Sequence, residues 1–137
     1  MGSTDSSGFT VRTDVRNGVA RLALIGELDM AVASTLEDEL LRVQDDGVKA
    51  AFLDLGELAF MDSSGLAVLL RATNRARENG HHLAIVGVGG VPRRLLEISG
   101  TERMLLGDAR AVPMIERFTR GNEAVNASEA PSGDGVG

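Results

Sequence analysis

The sequence predicts an α/β fold with a mainly parallel sheet that is entered through an antiparallel hairpin. The apolar residues change several times between a period of two and a helical period along the chain. In addition, the short and almost continuously apolar runs at 48–55 and 83–88 are typical of parallel strands covered on both faces. The predicted order is β-β-α-β-α-β-α-β-α, in which right-handed crossovers place helices over the sheet.

The first half of the chain is predicted to contain a hairpin, a helix and a strand. Apolar and polar residues alternate over 9–15, Asn17-Gly18 gives a tight-turn signal, and a second strand follows in VARLALIG. Apolar residues over 33–43 then recur at a helical spacing. The opposite side of this helix is acidic and is predicted to face solvent; it contains Glu37, Asp38 and Glu39.

The second half continues the alternation. A helix is predicted to begin at Ser63 and to stop at Gly80, and the strand at 83–88 follows. Pro92 suits the first turn of a third helix, because its missing N–H needs no partner there.

The last two predicted elements are a strand and a helix. The run RMLL at 103–106 is predicted to form a short edge strand. The segment DARAVPMIERF at 108–118 is predicted to form the final helix, with Asp108 as its cap.

Composition separates both ends of the chain from its middle. Residues 1–8 and 119–137 contain almost no large apolar side chains, so both are predicted to be disordered tails around one domain at 9–118. A length of 137 residues also favours one domain.

Charge and composition argue against several classes of function. The net charge is −6 and the pI about 4.9, which argues against direct nucleic-acid binding. The chain has no cysteine, and its two histidines, His81 and His82, are adjacent and so point in different directions. We therefore predict no metal site and no cofactor. No apolar run approaches the roughly 20 residues of a membrane span, so we predict a cytoplasmic protein without membrane contact.

Three loops are expected at the carboxyl ends of the parallel strands, where ligands bind in such sheets. They are GELD at 26–29, FMDSSG at 60–65 and GVGGV at 87–91. The last loop does not match a dinucleotide fingerprint, and a flexible turn is the favoured interpretation. Asp54 lacks the later lysine that a receiver-domain phosphoacceptor would need, because the only lysine of the chain precedes it.

The loop at 60–65 has the most informative chemistry. Asp62 or Ser63 can cap the helix that follows, and an exposed hydroxyl at a helix N-terminus is also a favourable place for a phosphate. Gly65 is expected to let the backbone of another protein approach closely. Asp29 and Asp62 could form an acid–base pair, but each also makes sense as a helix cap. We predict no catalytic residues.

At these residues the chain resembles a known family. LIGELD, FLDLGELAFMDSSGLAVLL and HLAIVGVGGVPRRLLEISG resemble the STAS domain of anti-sigma factor antagonists over about 9–118, and D-S-S-G is the most specific part. The resemblance implies that an anti-sigma factor serine kinase phosphorylates Ser63 and that a PP2C-type phosphatase removes the phosphate. The unphosphorylated protein would bind the anti-sigma factor and release a sigma factor. It also implies a partner surface made of Asp29, Asp62, Ser63, Ser64 and Gly65.

Two alternatives remain open at this point. Within the same fold, the chain could be a scaffold subunit of a stressosome or of a lipid-transport complex, without a phosphorylation cycle. Such relatives commonly have threonine at the phosphorylated position, so Ser63 favours the antagonist. The alternative from another class is a small serine hydrolase. However, Met61 stands where the G-x-S-x-G motif requires its first glycine.

Overall fold

The computed structural model describes residues 2–6 and 8–129, and within these ranges one sheet carries helices on both faces. The five strands are β1 Gly2–Ser6, β2 Phe9–Arg16, β3 Val19–Leu28, β4 Ala50–Met61 and β5 His82–Val86. The helices are α1 Ala33–Asp45, α2 Ser63–Glu78, α3 Gly90–Ser99, α4 Glu102–Leu106 and α5 Ala111–Glu129. A short 3-10 helix, Met30–Val32, precedes α1.

The strands lie in the sheet in their chain order. β1, β2 and β3 pair antiparallel, whereas β3, β4 and β5 pair parallel. The predicted turn between β2 and β3 is present: Asn17 and Gly18 both have positive φ, 54° and 75°, as a tight hairpin turn requires. The predicted α/β fold class and its antiparallel entry are therefore confirmed.

Elements near both ends of the chain differ from the sequence prediction. Helix α5 continues to Glu129, past the predicted end of the last helix at 118 and into the predicted tail. The run at 103–106, predicted as an edge strand, belongs to helix α4, which packs beside β5 and buries Leu105. A run of four residues is too short for its periodicity to separate helix from strand. At the other end, Gly2–Ser6 forms a strand within the predicted tail, because backbone hydrogen bonds to β2 need no apolar side chains.

The two faces of the sheet are covered unequally. Buried side chains of α1, α2, α3 and α4 form the main core with one face. The other face is covered by α5, where Met114 packs in a smaller cluster with Val19 and Phe52. Phe118 meets Phe52 edge to face at a centroid distance of 5.5 Å. The last predicted element is thus an integral layer of the domain.

Glu39 is buried, although the sequence predicts it on the solvent side of α1. Its side chain is 6% exposed and accepts hydrogen bonds from Thr13 of β2 and from Arg42. The hydrogen bond from Arg42 outweighs the effect of burial and holds the pKa of Glu39 below its usual value. Glu39 therefore remains charged and ties α1 to the sheet.

The boundary at 9–118 stays a prediction that truncation can test. Strand β1 contributes no apolar residue to either core cluster, and Phe118 is the last residue that packs on the second face among those whose side chains the structure describes. A fragment of residues 9–118 should therefore keep its thermal midpoint within a few degrees of the full chain. A large loss would mean that β1 or the end of α5 stabilises the domain. The part of the predicted C-terminal tail at 130–137 lies outside the described residues.

Candidate functional site

The site is built where β3 and β4 end side by side. Leu28 and Met61 are partners in the parallel register, so the residues that follow them emerge at the same edge of the sheet. A hydrogen bond of 3.3 Å from the Asp62 backbone N–H to the Leu28 carbonyl joins the two loops. The structure therefore brings Asp29 and Asp62 to one edge, as expected for carboxyl ends of parallel strands.

Both carboxylates at this edge cap a helix. Asp29 accepts a hydrogen bond of 3.0 Å from the Ala31 N–H at the start of the 3-10 helix. Asp62 accepts bonds of 2.9 and 3.1 Å from the Ser64 and Gly65 N–H groups of α2. These interactions are the usual N-cap contacts, in which a side-chain oxygen satisfies free backbone donors. The helix-cap interpretation of the two aspartates is therefore confirmed.

The two serines occupy different environments. Ser63 is the first residue of α2 and is exposed, whereas Ser64 is half-buried. Because Asp62 already accepts the Ser64 and Gly65 N–H groups, a group added to Ser63 would meet the helix dipole rather than these two donors. The sequence placed Ser63 correctly at the helix start but could not show that these donors were occupied.

Gly65 lies inside the domain. A Cβ on this residue would be 2.6 Å from the Leu28 carbonyl oxygen and 2.8 Å from Cγ atoms of Leu28 and Met61. The expectation that Gly65 leaves room for a partner's backbone is therefore wrong. The glycine is needed because α2 begins directly against the ends of β3 and β4.

The glycine-rich loop lies apart from the other two. β5 ends at Val86, which pairs with Asp54, seven residues before the end of β4. At about 3.3 Å per residue, this is roughly 20 Å along β4. Gly87 has a φ of +75°, and a Cβ there would be 2.6 Å from the Asp54 carboxylate. A glycine is therefore needed at position 87 because the backbone packs against Asp54. The expectation that all three loops line one crevice is wrong.

Asp54 itself has a structural role. One carboxylate oxygen accepts a bond from the Gly56 N–H, and the other forms an ion pair with Arg21 at 2.8 Å. β4 continues past Asp54 to Met61, so this residue is in the middle of the strand rather than at its end. This ion pair accounts for the acidic residue in an otherwise apolar run.

Apolar side chains are exposed next to the two capped loops, and sequence reasoning missed them. Met30, which follows Asp29, is 76% exposed, and Phe60, near the end of β4, is 40% exposed. Burial is interrupted toward the end of β4, which the apolar letters LAFM at 58–61 do not indicate. Exposed apolar residues beside acidic ones are typical of a protein interface.

Neither histidine of the chain lies near Ser63. The chain has two histidines, and both follow α2, whose 16 residues separate them from Ser63 by about 24 Å. Neither can act as a base for the Ser63 hydroxyl. Among the described residues, no group of three or more His, Asp or Glu side chains could hold a metal ion. Within the same residues no helix has the length and apolar character needed to cross a membrane.

Comparison with known proteins identifies the STAS domain family and finds relatives that are named as anti-sigma factor antagonists. A family model of the STAS domain matches residues 10–115. The chain is 33% identical over 103 residues to the anti-sigma-F factor antagonist RsfB of Mycobacterium tuberculosis (strain CDC 1551 / Oshkosh), which covers 75% of this chain and 82% of RsfB. It is 27% identical over 97 residues to the anti-sigma-B factor antagonist of Staphylococcus aureus (strain NCTC 8325 / PS 47), covering 71% of this chain and 90% of that protein.

Solved structures of one relative show the same fold in two states. The unphosphorylated form of the anti-sigma factor antagonist SpoIIAA has a TM-score of 0.62 at 22% identity, and the match covers 82% of this chain and 96% of that one. The phosphorylated form of the Bacillus protein SpoIIAA has a TM-score of 0.57 at 21% identity, covering 80% and 97%.

Proposed function

The chain belongs to the STAS domain family, and from that premise we propose that it is an anti-sigma factor antagonist regulated by phosphorylation of Ser63. In the unphosphorylated form it binds an anti-sigma factor that is also a serine kinase, and this binding releases a sigma factor. A PP2C-type phosphatase restores the binding form. The protein itself catalyses no reaction in this cycle, and a cytoplasmic location stays a prediction.

One observation carries the proposal: Ser63 is an exposed hydroxyl at the start of a helix whose other first-turn groups are already satisfied. Asp62 caps the helix, so Ser63 is not needed as the capping residue. An exposed serine is accessible to a kinase, whereas the half-buried Ser64 is less so. The relatives named as antagonists, and the solved structure of SpoIIAA in a phosphorylated form, support regulation by phosphorylation.

The surface around Ser63 supports binding to a protein. Glu27 and Glu57 are exposed near the ends of β3 and β4. The exposed Phe60 is the register partner of Glu27, and the exposed Met30 follows Asp29. An acidic surface with apolar contacts fits a partner with a basic surface. Opposite charges mainly raise the rate of association and lose effect as the salt concentration increases.

The test is the position of the phosphate. After incubation with the cognate anti-sigma factor kinase and ATP, mass spectrometry should find one phosphate on Ser63. Ser64→Ala should still be phosphorylated, and Ser63→Ala should not. Phosphate on Ser64 in the unaltered protein would contradict the proposal. A Ser63→Ala variant recovered from native cytoplasm without a bound anti-sigma factor would instead favour the scaffold alternative.

A further inference from the structure

A second surface lies at the other end of α2 from Ser63. It is a groove of about 370 Å³ beside β5, between α2, α4 and the segment that joins α4 to α5. Its apolar residues are Leu83, Leu105 and Met104, the last of which is 61% exposed. The polar rim contains Arg77, Arg103, Arg110, Asp108 and Thr73.

The rim is positively charged in a protein whose net charge is −6. Arg110 already has partners within the domain: it forms an ion pair of 3.2 Å with Asp108 and contacts the His82 ring nitrogen at 2.7 Å. Partial burial disfavours the charge on Asp108, but its hydrogen bonds with Arg110 hold the pKa of this carboxyl below its usual value. The negative charge of Asp108 therefore cancels the positive charge of Arg110.

Two positive charges remain at the rim. Arg77 and Arg103 are exposed and form no ion pair among the residues that the structure describes. They line the same groove as the exposed side chain of Met104. A planar guanidinium presents a fork of donors that matches a carboxylate, and an apolar centre with a charged rim is the usual anatomy of a protein interface.

The groove and the Ser63 surface are far enough apart to be occupied together. Fourteen helical residues separate Ser63 from Arg77 along α2, which corresponds to about 21 Å. A partner seated on the loops at Asp29 and Asp62 therefore leaves Arg77 and Arg103 free.

We propose that this groove binds an acidic segment of a second protein. Carboxylates of the segment pair with Arg77 and Arg103, and an apolar side chain between them packs on Met104. A volume of about 370 Å³ accommodates a few side chains rather than a whole domain. The proposal goes beyond the regulation at Ser63 and does not depend on it.

Fluorescence anisotropy with a short labelled peptide that alternates Glu and Leu tests the groove. The full-length protein should bind this peptide, and should bind its counterpart with Gln in place of Glu much more weakly. The double variant Arg77→Glu/Arg103→Glu should lose at least about tenfold in affinity, because two attractive contacts become repulsive. Arg94→Glu is the matched control: Arg94 is also an exposed arginine, on α3, and its reversal should leave the affinity within about twofold of the unaltered protein.

Four results would overturn the proposal. The first is that the Glu peptide does not bind at millimolar protein, and the second is that Arg94→Glu loses as much peptide affinity as the double variant does. The third is that millimolar inorganic phosphate displaces the peptide. The fourth is that the protein self-associates and the double variant does not. The third would indicate a site for small anions, and the fourth a contact between copies of this chain. Because the altered arginines are exposed, unchanged circular dichroism should accompany each variant. Peptide affinity in Ser63→Asp should equal that of the unaltered protein if the two surfaces are separate.

Discussion

Replacing Gly65 by alanine should destabilise the domain by about 1–3 kcal/mol, even though alanine is the better helix former. The added methyl group would be 2.6 Å from the Leu28 carbonyl oxygen, and a backbone atom at the end of a sheet strand cannot move aside cheaply. It would also be 2.8 Å from Cγ of Met61, which is fully buried. The start of α2 would have to move away from β3 and β4, and packing in the core would be lost.

Urea denaturation of the purified variants measures this free energy of unfolding. Gly89→Ala is the matched control, because Gly89 also lies at a helix start but has no atom within 4 Å of its Cβ position. The free energy of unfolding of Gly89→Ala should decrease by less than about 1 kcal/mol, the usual effect of alanine at an N-cap. Equal stabilities for the two variants would show that α2 does not pack against Leu28 as described.

Local signals predicted the start of α2 well. A Ser-Ser-Gly segment after an acidic residue and before a helical apolar pattern is a capping signal, and the helix indeed begins at Ser63 with Asp62 as its cap. Such interactions involve residues two or three positions apart, so the sequence contains all of the necessary information. The hairpin turn at Asn17-Gly18 was predictable for the same reason.

Features that depend on distant parts of the chain were not predictable. The contact of Gly65 with Leu28 requires two strand ends to meet, and the position of the loop at 87–91 depends on β5 being much shorter than β4. β4 continues through Asp54, Gly56 and Glu57, although polar residues and glycine in an apolar run usually indicate that a strand ends. The burial of Glu39 likewise depends on Thr13, which lies 26 positions away in the chain.

The structure also changes the reason for expecting a switch at Ser63. A helix N-terminus with free N–H groups would bind a phosphate and could rearrange around it. Here Asp62 already accepts two of these donors, so a phosphate on Ser63 would add charge beside a carboxylate at an exposed surface. We therefore expect the modification to act on the partner surface and not on the fold of the domain.

The variant Ser63→Asp should lose most of its affinity for the anti-sigma factor while remaining as stable as the unaltered protein. Its carboxylate would lie beside Asp62 and near Asp29, and it must lose its hydration when a partner docks on this edge. A buried charge without a partner costs about 2–5 kcal/mol, so the Kd should increase by roughly 30-fold or more. In the free protein, the helix dipole favours the added negative charge, so the free energy of unfolding should change by less than about 0.5 kcal/mol.

Isothermal titration calorimetry with the purified anti-sigma factor measures the affinity, and urea denaturation measures the stability. Ser63→Ala should bind as the unphosphorylated protein does, even after incubation with the kinase and ATP. Ser64→Asp is the matched control for position: Ser64 is half-buried and its N–H is bonded to Asp62, so this change should affect stability more than Ser63→Asp does. If Ser63→Asp binds as tightly as the unaltered protein, Ser63 is not the switch, and its role is limited to the first turn of α2.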